Sequence, residues 1–227
     1  MKSKYIAWAI APIFLIGCSD YLETPPSVDY GENEVFATRA DAEKLLTTLY
    51  AEGMPYGFCM SSSNTDRRLL SSSTLASACD EGEDVATWAM GNAAWNAGNH
   101  TNTNFPWDED CRFYLRNHTM RVANLILKRI HEVPFDEGDP DFNKRTTGEA
   151  YFMRAMLLWE GVYRYGGMPI VRDVIDPTDF SQRPRNSFSD CIDSILIDCD
   201  RATQYLPDYY TDNAKLGRAT RIAALAL

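Results

Sequence analysis

Apolar residues in four segments of this chain recur three and four positions apart, the spacing that places them on one face of an α-helix. In the first segment, Thr38 to Gly53, they are Ala42, Leu45, Leu46, Leu49 and Tyr50. The other helices are expected from about Cys111 to His131, from Asp141 to Tyr165 and from Ser187 to Pro207. The patterning predicts an all-α fold.

Residues that begin and end helices flank these segments. Thr38 and Ser187 each precede an aspartate by three positions, which predicts capping boxes at two helix starts. Gly166-Gly167 is expected to end the third helix. Gly217-Arg218-Ala219-Thr220 opens a further apolar helix, and the sequence stops in Ala224-Leu225-Ala226-Leu227 without a cap. We therefore expect this chain to be truncated at the C-terminus.

Between Met54 and Asp110 the helical period disappears. This stretch is rich in Ser, Asn and Gly, and it carries three tryptophans, Trp88, Trp95 and Trp107. Long irregular segments inside a domain are usually functional or disordered, and the tryptophans argue against disorder. We expect a long, ordered, loop-rich insertion.

The N-terminus has the layout of a signal peptide. Lys2 and Lys4 precede an apolar run of 12 residues from Tyr5 to Ile16, which is short of the roughly 20 needed for a membrane span. Leu15-Ile16-Gly17-Cys18 resembles a bacterial lipobox, in which the cysteine is acylated and becomes the first mature residue. We predict a signal peptide over residues 1–17, and a lipid anchor at Cys18.

Residues 18–37 carry Pro25-Pro26 and no helical period, so they are expected to form an extended tether. A single domain should then occupy residues 38–227. Once Lys2 and Lys4 are removed, 20 basic and 32 acidic side chains remain, a formal charge of −12. Such a chain would be repelled by DNA or RNA, so no nucleic-acid partner is expected.

Five cysteines remain once Cys18 is assigned to the lipid anchor. They do not suggest a disulfide framework, because their number is odd and their spacing is irregular. Cys191 and Cys199 lie about 12 Å apart along one predicted helix, too far to pair, and are expected to be small buried hydrophobes. The sequence does not decide whether Cys59 and Cys79 form a disulfide bond.

No catalytic motif is recognisable. The three histidines are not in a metal-binding spacing, and neither a nucleophile elbow nor a phosphate-binding loop is present. Carboxylate pairs are plentiful, as expected by chance in so acidic a chain, so a glycosidase is the least favoured class. We predict that the protein is not an enzyme and uses no cofactor or metal.

Several segments, in this order along the chain, resemble the SusD/RagB family of outer-membrane lipoproteins of Bacteroidota. The strongest is Gly148-Glu149-Ala150-Tyr151-Phe152-Met153-Arg154-Ala155, which leads into Arg164-Tyr165-Gly166-Gly167-Met168-Pro169-Ile170. Shorter matches are Cys18–Glu23, Arg121–Asn124, Ser187–Pro207 and Gly217–Thr220.

The resemblance implies a SusD-like fold of tetratricopeptide-like helix pairs with a loop-rich subdomain, in proteins about twice this length. It also implies a function, the capture of an oligosaccharide or other nutrient at the cell surface. The ligand would pass to a partner SusC-like TonB-dependent transporter in the outer membrane.

The insertion carries the residue types that bind sugars, aromatic rings for stacking and polar side chains for hydroxyl groups. Trp95 is the first candidate for a stacking platform and Trp88 the second, with Asn96, Asp80 and Arg67 as hydrogen-bonding groups. The alternative is that the tryptophans fill the core of an irregular region, since Trp is usually largely buried. Trp159 is expected in the helical core.

Glu149 and Arg154, on the strongest matching helix, are expected to hold helices together. The alternative function is a helical-repeat lipoprotein scaffold that binds protein or peptide. Such a scaffold would bury Trp95 and show no affinity for sugars.

Overall fold

The computed structural model describes residues 31–54 and 107–227, except Pro177 and Phe180. The helices are α1 (Glu32–Val35), α2 (Arg39–Gly53), α3 (Trp107–Arg129), α4 (Phe142–Tyr165), α5 (Phe188–Tyr205) and α6 (Arg221–Ala226), with 3-10 turns at Ile130–Glu132 and Asn213–Lys215. These residues contain no strand, so the all-α prediction is confirmed. No helix in the described ranges has the length and apolar character needed to cross a bilayer.

The four predicted helices form close to their expected bounds because their end signals operate. The Thr38 hydroxyl accepts from the Asp41 amide, and Ser187 forms a reciprocal capping box with Asp190. Gly166 ends α4 with a φ of 73°, a conformation that favours glycine. α3, the second of the predicted helices, begins earlier than the expected Cys111, at Trp107.

Successive long helices pack side by side and run antiparallel. α4 lies at the centre and contacts α2, α3 and α5, while α6 packs on α5. The main core consists of fully buried apolar side chains from α2, α3 and α4, which include Leu46, Leu49, Ala123, Ile126 and Met153. Gly148 lets α4 approach the end of α5, since a Cβ there would lie 2.8 Å from Leu206.

A second apolar cluster joins α4 to α5. It contains Ala155, Leu158, Val162, Cys191, Ile195 and Cys199. Burial, with Asp198 and Asp200 nearby, raises the pKa of the Cys199 thiol to about 11, so this group stays neutral. The prediction that Cys191 and Cys199 are buried, unpaired hydrophobes is therefore confirmed.

The prediction that residues 18–37 form an extended tether is wrong for the last residues of that range. Residues 32–35 form the short helix α1, and Phe36 is 2% exposed beneath the Arg129 guanidinium, 5.1 Å from the ring centroid. Arg121 also pairs with Glu32 at 3.0 Å. This segment shows no helical period of its own. Its structure depends on contacts with residues of α3, which are distant in the sequence.

Candidate ligand-binding region

The described part of the chain does not include the predicted glycan-binding residues. Arg67, Asp80, Trp88, Trp95 and Asn96 lie outside it, as do the anchor Cys18, the bridge between Cys59 and Cys79, and most of the insertion. These assignments stay predictions. The structure describes the helical frame on which the insertion is carried.

The insertion leaves and rejoins this frame at one end of the helices. A Cβ on Gly53, the last residue of α2, would lie 3.5 Å from Thr119 of α3. The start of α2 lies near the end of α3, as the contact between Phe36 and Arg129 requires, so the two helices are antiparallel. We call the end that carries Gly53 and the start of α3 the loop end.

An exposed aromatic pair lies on α4 towards the loop end. Trp159 is 37% exposed and Tyr163 is 45% exposed, with ring centroids 5.7 Å apart. The Tyr163 hydroxyl donates to the Glu160 carboxylate at 3.2 Å. Exposed aromatic rings with polar groups beside them suit the binding of ligands that have both apolar and polar faces.

The prediction that Trp159 belongs to the core is wrong. Leu158 and Val162, which are also four positions apart, take the inward positions against α5 and turn Trp159 outward. The helix is apolar on two adjacent faces, so periodicity alone does not decide which face is buried. The spacing of Trp159 and Tyr163 indicates only that the two rings share one face of the helix.

One buried ionic network holds α3, α4 and α5 in register. Arg154 is 5% exposed and forms two bonds of 2.7 Å, from Nε and Nη2, to the Asp198 carboxylate. Its third nitrogen, Nη1, donates to Asn124 Oδ1 at 3.0 Å, and Arg172 reaches Asp198 at 3.2 Å. Arg154 therefore connects helices, as predicted.

A second buried network surrounds Glu149, which is fully buried. Arg218 and Arg145 each lie 3.3 Å from its carboxylate. Burial raises the pKa of Glu149, while Arg218, the Tyr50 hydroxyl and Arg145 oppose that shift. Arg218 also pairs with Glu43 of α2 at 2.8 Å, so the Gly-Arg-Ala-Thr segment is fixed to two helices. The expected structural role of Glu149 is confirmed.

Asp139 precedes α4 and holds three cations. Its oxygens lie 2.9 and 2.7 Å from the two terminal nitrogens of Arg145, 3.2 Å from Lys215 and 3.7 Å from Arg39. The hydrogen bonds from Arg145 are the main cause that lowers the pKa of Asp139 to about 2. The side chain is 7% exposed, so solvent screens these pairs only weakly.

Replacement of Asp139 by asparagine should therefore lower the free energy of unfolding at pH 7 by about 2 kcal/mol. A folded-state pKa below the unfolded value gives stability that is present above about pH 4 and is lost as the pH falls towards 2. Urea denaturation at several pH values should show that the free energy of unfolding falls less between pH 5 and pH 2 in Asp139→Asn than in the wild type. Asp193→Asn, at an exposed site on α5, is the control and should match the wild type. An unaltered pH dependence in Asp139→Asn would contradict this account.

Both networks consist of ion pairs within the protein, although Arg145 Nε and Glu149 Oε1, which lie 3.3 Å apart, have no hydrogen-bond partner in the described part of the chain. Among residues 31–54 and 107–227, no three His, Cys, Asp or Glu side chains form a group that would hold a metal ion. The described residues expose aromatic and aliphatic side chains as well as polar groups. Exposed apolar side chains beside polar groups are suited to contacts with a ligand or partner.

A protein-family model identifies the class of this helical protein. The SusD-like model described as "Starch-binding associating with outer membrane" matches residues 20–227. The chain therefore belongs to the SusD-like family.

Individual relatives agree with this assignment. The chain is 25% identical, over 230 aligned positions, to SusD-like protein P2 of Formosa agariphila. A crystal structure of a SusD-like protein from Bacteroides fragilis matches with 26% identity and a TM-score of 0.63, over 85% of this chain and 34% of that one. A laminarin-binding SusD-like protein has the same fold, with 20% identity and a TM-score of 0.62, over 84% of this chain and 39% of that one.

These relatives are considerably longer than this chain. The alignment covers all of this chain and 42% of the Formosa protein. The two solved structures are matched over little more than a third of their lengths. The described helices thus correspond to one part of a larger family fold.

Proposed function

We propose that this chain belongs to a cell-surface lipoprotein that captures an oligosaccharide and delivers it to a TonB-dependent transporter. The observation that carries the proposal is the match of residues 20–227 to a family described as starch-binding and associated with the outer membrane. Binding without catalysis agrees with a chain whose described charged clusters are engaged in holding helices together.

Attachment to the membrane is proposed to occur through Cys18. The segment Leu15-Ile16-Gly17-Cys18 follows a basic and apolar leader, which supports cleavage before the cysteine and acylation of its thiol. Two or more acyl chains give stable anchoring, since each buried methylene contributes about 0.8 kcal/mol. The protein would then remain on the outer membrane.

The glycan site is proposed to lie on the insertion at the loop end. Trp95 and Trp88 would stack on sugar rings, while Asn96, Asp80 and Arg67 would bond to hydroxyl groups. The exposed Trp159 and Tyr163 pair supports this placement, because it adds aromatic surface towards the end from which the insertion departs. Stacked rings give affinity, and a few polar groups set orientation.

A binding lipoprotein cannot by itself move its ligand across a membrane, so a transporter must follow. The family resemblance suggests a SusC-like TonB-dependent β-barrel. Affinity purification of the full-length protein from native membranes should recover one such barrel. Repeated recovery without a barrel would contradict delivery and favour the scaffold alternative.

A combined glycan and peptide array on the full-length protein tests the binding function. We expect binding to one group of related oligosaccharides, with no release of reducing ends after prolonged incubation. Binding to peptides alone would contradict the proposal and favour the scaffold. Steady release of reducing ends from a bound polysaccharide would instead identify a hydrolase.

A further inference from the structure

A cavity of about 280 Å³ opens at the end of the helices opposite the loop end. The connection between α3 and α4 meets the connection between α5 and α6 there, because antiparallel helices return alternate connections to the same end. Tyr205, at the end of α5, and Tyr209 and Tyr210, in the connection that follows, all line it. We call it the tyrosine cavity.

Two of the three rings are available to a ligand. Tyr209 is 72% exposed and Tyr205 is 37% exposed. Tyr210 is fixed, because its hydroxyl donates to the Ala219 carbonyl at 2.9 Å. Exposed tyrosine rings beside a concave surface offer an apolar face for stacking and a hydroxyl for hydrogen bonding.

The charged groups of the cavity balance one another. Three aspartates and three cations line it: Asp139, Asp141, Asp212, Lys144, Arg145 and Lys215. Asp139 already pairs with Arg145 and Lys215, and Asp212 accepts from the Ala214 amide. A charged ligand therefore gains no net attraction, whereas a neutral ligand with many hydroxyl groups finds both donors and acceptors.

The base of the cavity is rigid, which favours binding. Arg145 is 5% exposed and is held by two bonds to Asp139. Lys215 is the last residue of the 3-10 turn Asn213–Lys215 and reaches the same carboxylate, so the two connections are joined across the cavity. Polar groups held in this way lose little freedom when a ligand binds.

We propose that the tyrosine cavity binds a single neutral sugar ring, as a second carbohydrate site distinct from the predicted site on the insertion. Its volume lies just below the usual range for ligand pockets, about 300–1,000 Å³, which limits the ligand to a small molecule or the terminal unit of a glycan. The C–H face of the sugar ring would stack on Tyr209. The hydroxyl groups of the sugar would form hydrogen bonds with the Asp and Lys side chains that line the cavity. The proposal does not require the insertion to bind sugar.

The test uses the purified full-length lipoprotein in a sugar-free detergent. The probes are the methyl glycosides of glucose, galactose and mannose, with methyl glucuronide as the charged counterpart of the glucoside. Binding is measured by saturation-transfer NMR and calorimetry in wild type, Tyr209→Ala and Tyr209→Phe. Phe188→Ala is the control, because this ring is 54% exposed but lies about 25 Å away at the other end of α5.

Tyr209→Ala should weaken binding of the best neutral glycoside about tenfold, while Tyr209→Phe and Phe188→Ala should stay within about threefold of wild type. The glucuronide should bind no more tightly than the glucoside. Melting temperatures should be equal in all four proteins, which separates lost binding from lost folding.

The same titrations in Trp95→Ala distinguish the two sites. Binding that survives Trp95→Ala and falls with Tyr209→Ala supports the tyrosine cavity. Binding that depends on Trp95 alone would overturn the cavity proposal and leave the proposed function intact. Absence of binding by every neutral glycoside would also overturn it, while binding of longer glycans on the array would still support the insertion site.

Discussion

Arg154→Met should lower the free energy of unfolding by about 3–5 kcal/mol. The substitution leaves the Asp198 carboxylate, which is 2% exposed, with Arg172 as its one remaining cation among the described residues. It also removes the donor to Asn124, which itself bonds to the Val171 and Asp173 carbonyls. Leaving a buried charge without its main partner costs far more free energy than the intact ion pair contributes to stability.

Urea denaturation followed by circular dichroism measures this loss. Arg183→Met is the matched control, because Arg183 pairs with Asp179 at the surface with both side chains more than a third exposed. That variant should change stability by no more than about 0.5 kcal/mol. The double variant Arg154→Met/Asp198→Asn should recover part of the loss. A change below about 1 kcal/mol in Arg154→Met would show that the network does not hold the helices.

Cys18→Ala should abolish acylation of the protein and either release it from the membrane or leave it unprocessed. Without the thiol no acyl chain can be attached at this position. The variant is therefore expected in the soluble fraction or as an unprocessed precursor. Fractionation with labelled palmitate measures both localisation and acylation.

Ser19→Ala, which keeps the lipobox intact, is the control and should stay acylated and membrane-bound. Normal membrane association of Cys18→Ala would contradict the anchor. Acylation at another residue would also contradict the anchor at Cys18. Either result would leave the family assignment untouched, because the matched region begins at residue 20.

The long helices could be predicted from the sequence because their signals are local. The sequence predicts a helix from Asp141 to Tyr165, and the structure has Phe142–Tyr165, ended by Gly166 with a positive φ. The capping box at Ser187 likewise lies within four residues. Such features depend on near neighbours, so periodicity and end residues are sufficient to find them.

Features that depend on distant residues could not be predicted in the same way. The burial of Phe36 needs Arg129, and the outward orientation of Trp159 depends on which face of α4 receives α5. Arg218 pairs with Glu43 across 175 positions of sequence. Periodicity carries no information on such pairs, which is why the prediction for Trp159 was wrong.

The tyrosine cavity was also missed. Its rings lie at the end of one helix and in the following connection, whereas its buried base comes from Asp139 and Arg145 at the start of another helix. Only the return of two connections to the same end brings these groups together. A tyrosine pair next to a proline, as in Leu206-Pro207-Asp208-Tyr209-Tyr210, was the one local signal of an exposed aromatic turn.

Glycan affinity and melting temperature of Trp95→Ala in the full-length protein, measured together, test the central claim most directly. Removal of a stacked, partly exposed ring should cost about 1–3 kcal/mol of binding free energy, a roughly 5- to 150-fold loss of affinity, with the melting temperature unchanged. A ring that fills the core would instead cost about 3–5 kcal/mol of stability. Unchanged affinity with a large fall in melting temperature would make Trp95 a core residue and contradict the proposed glycan site.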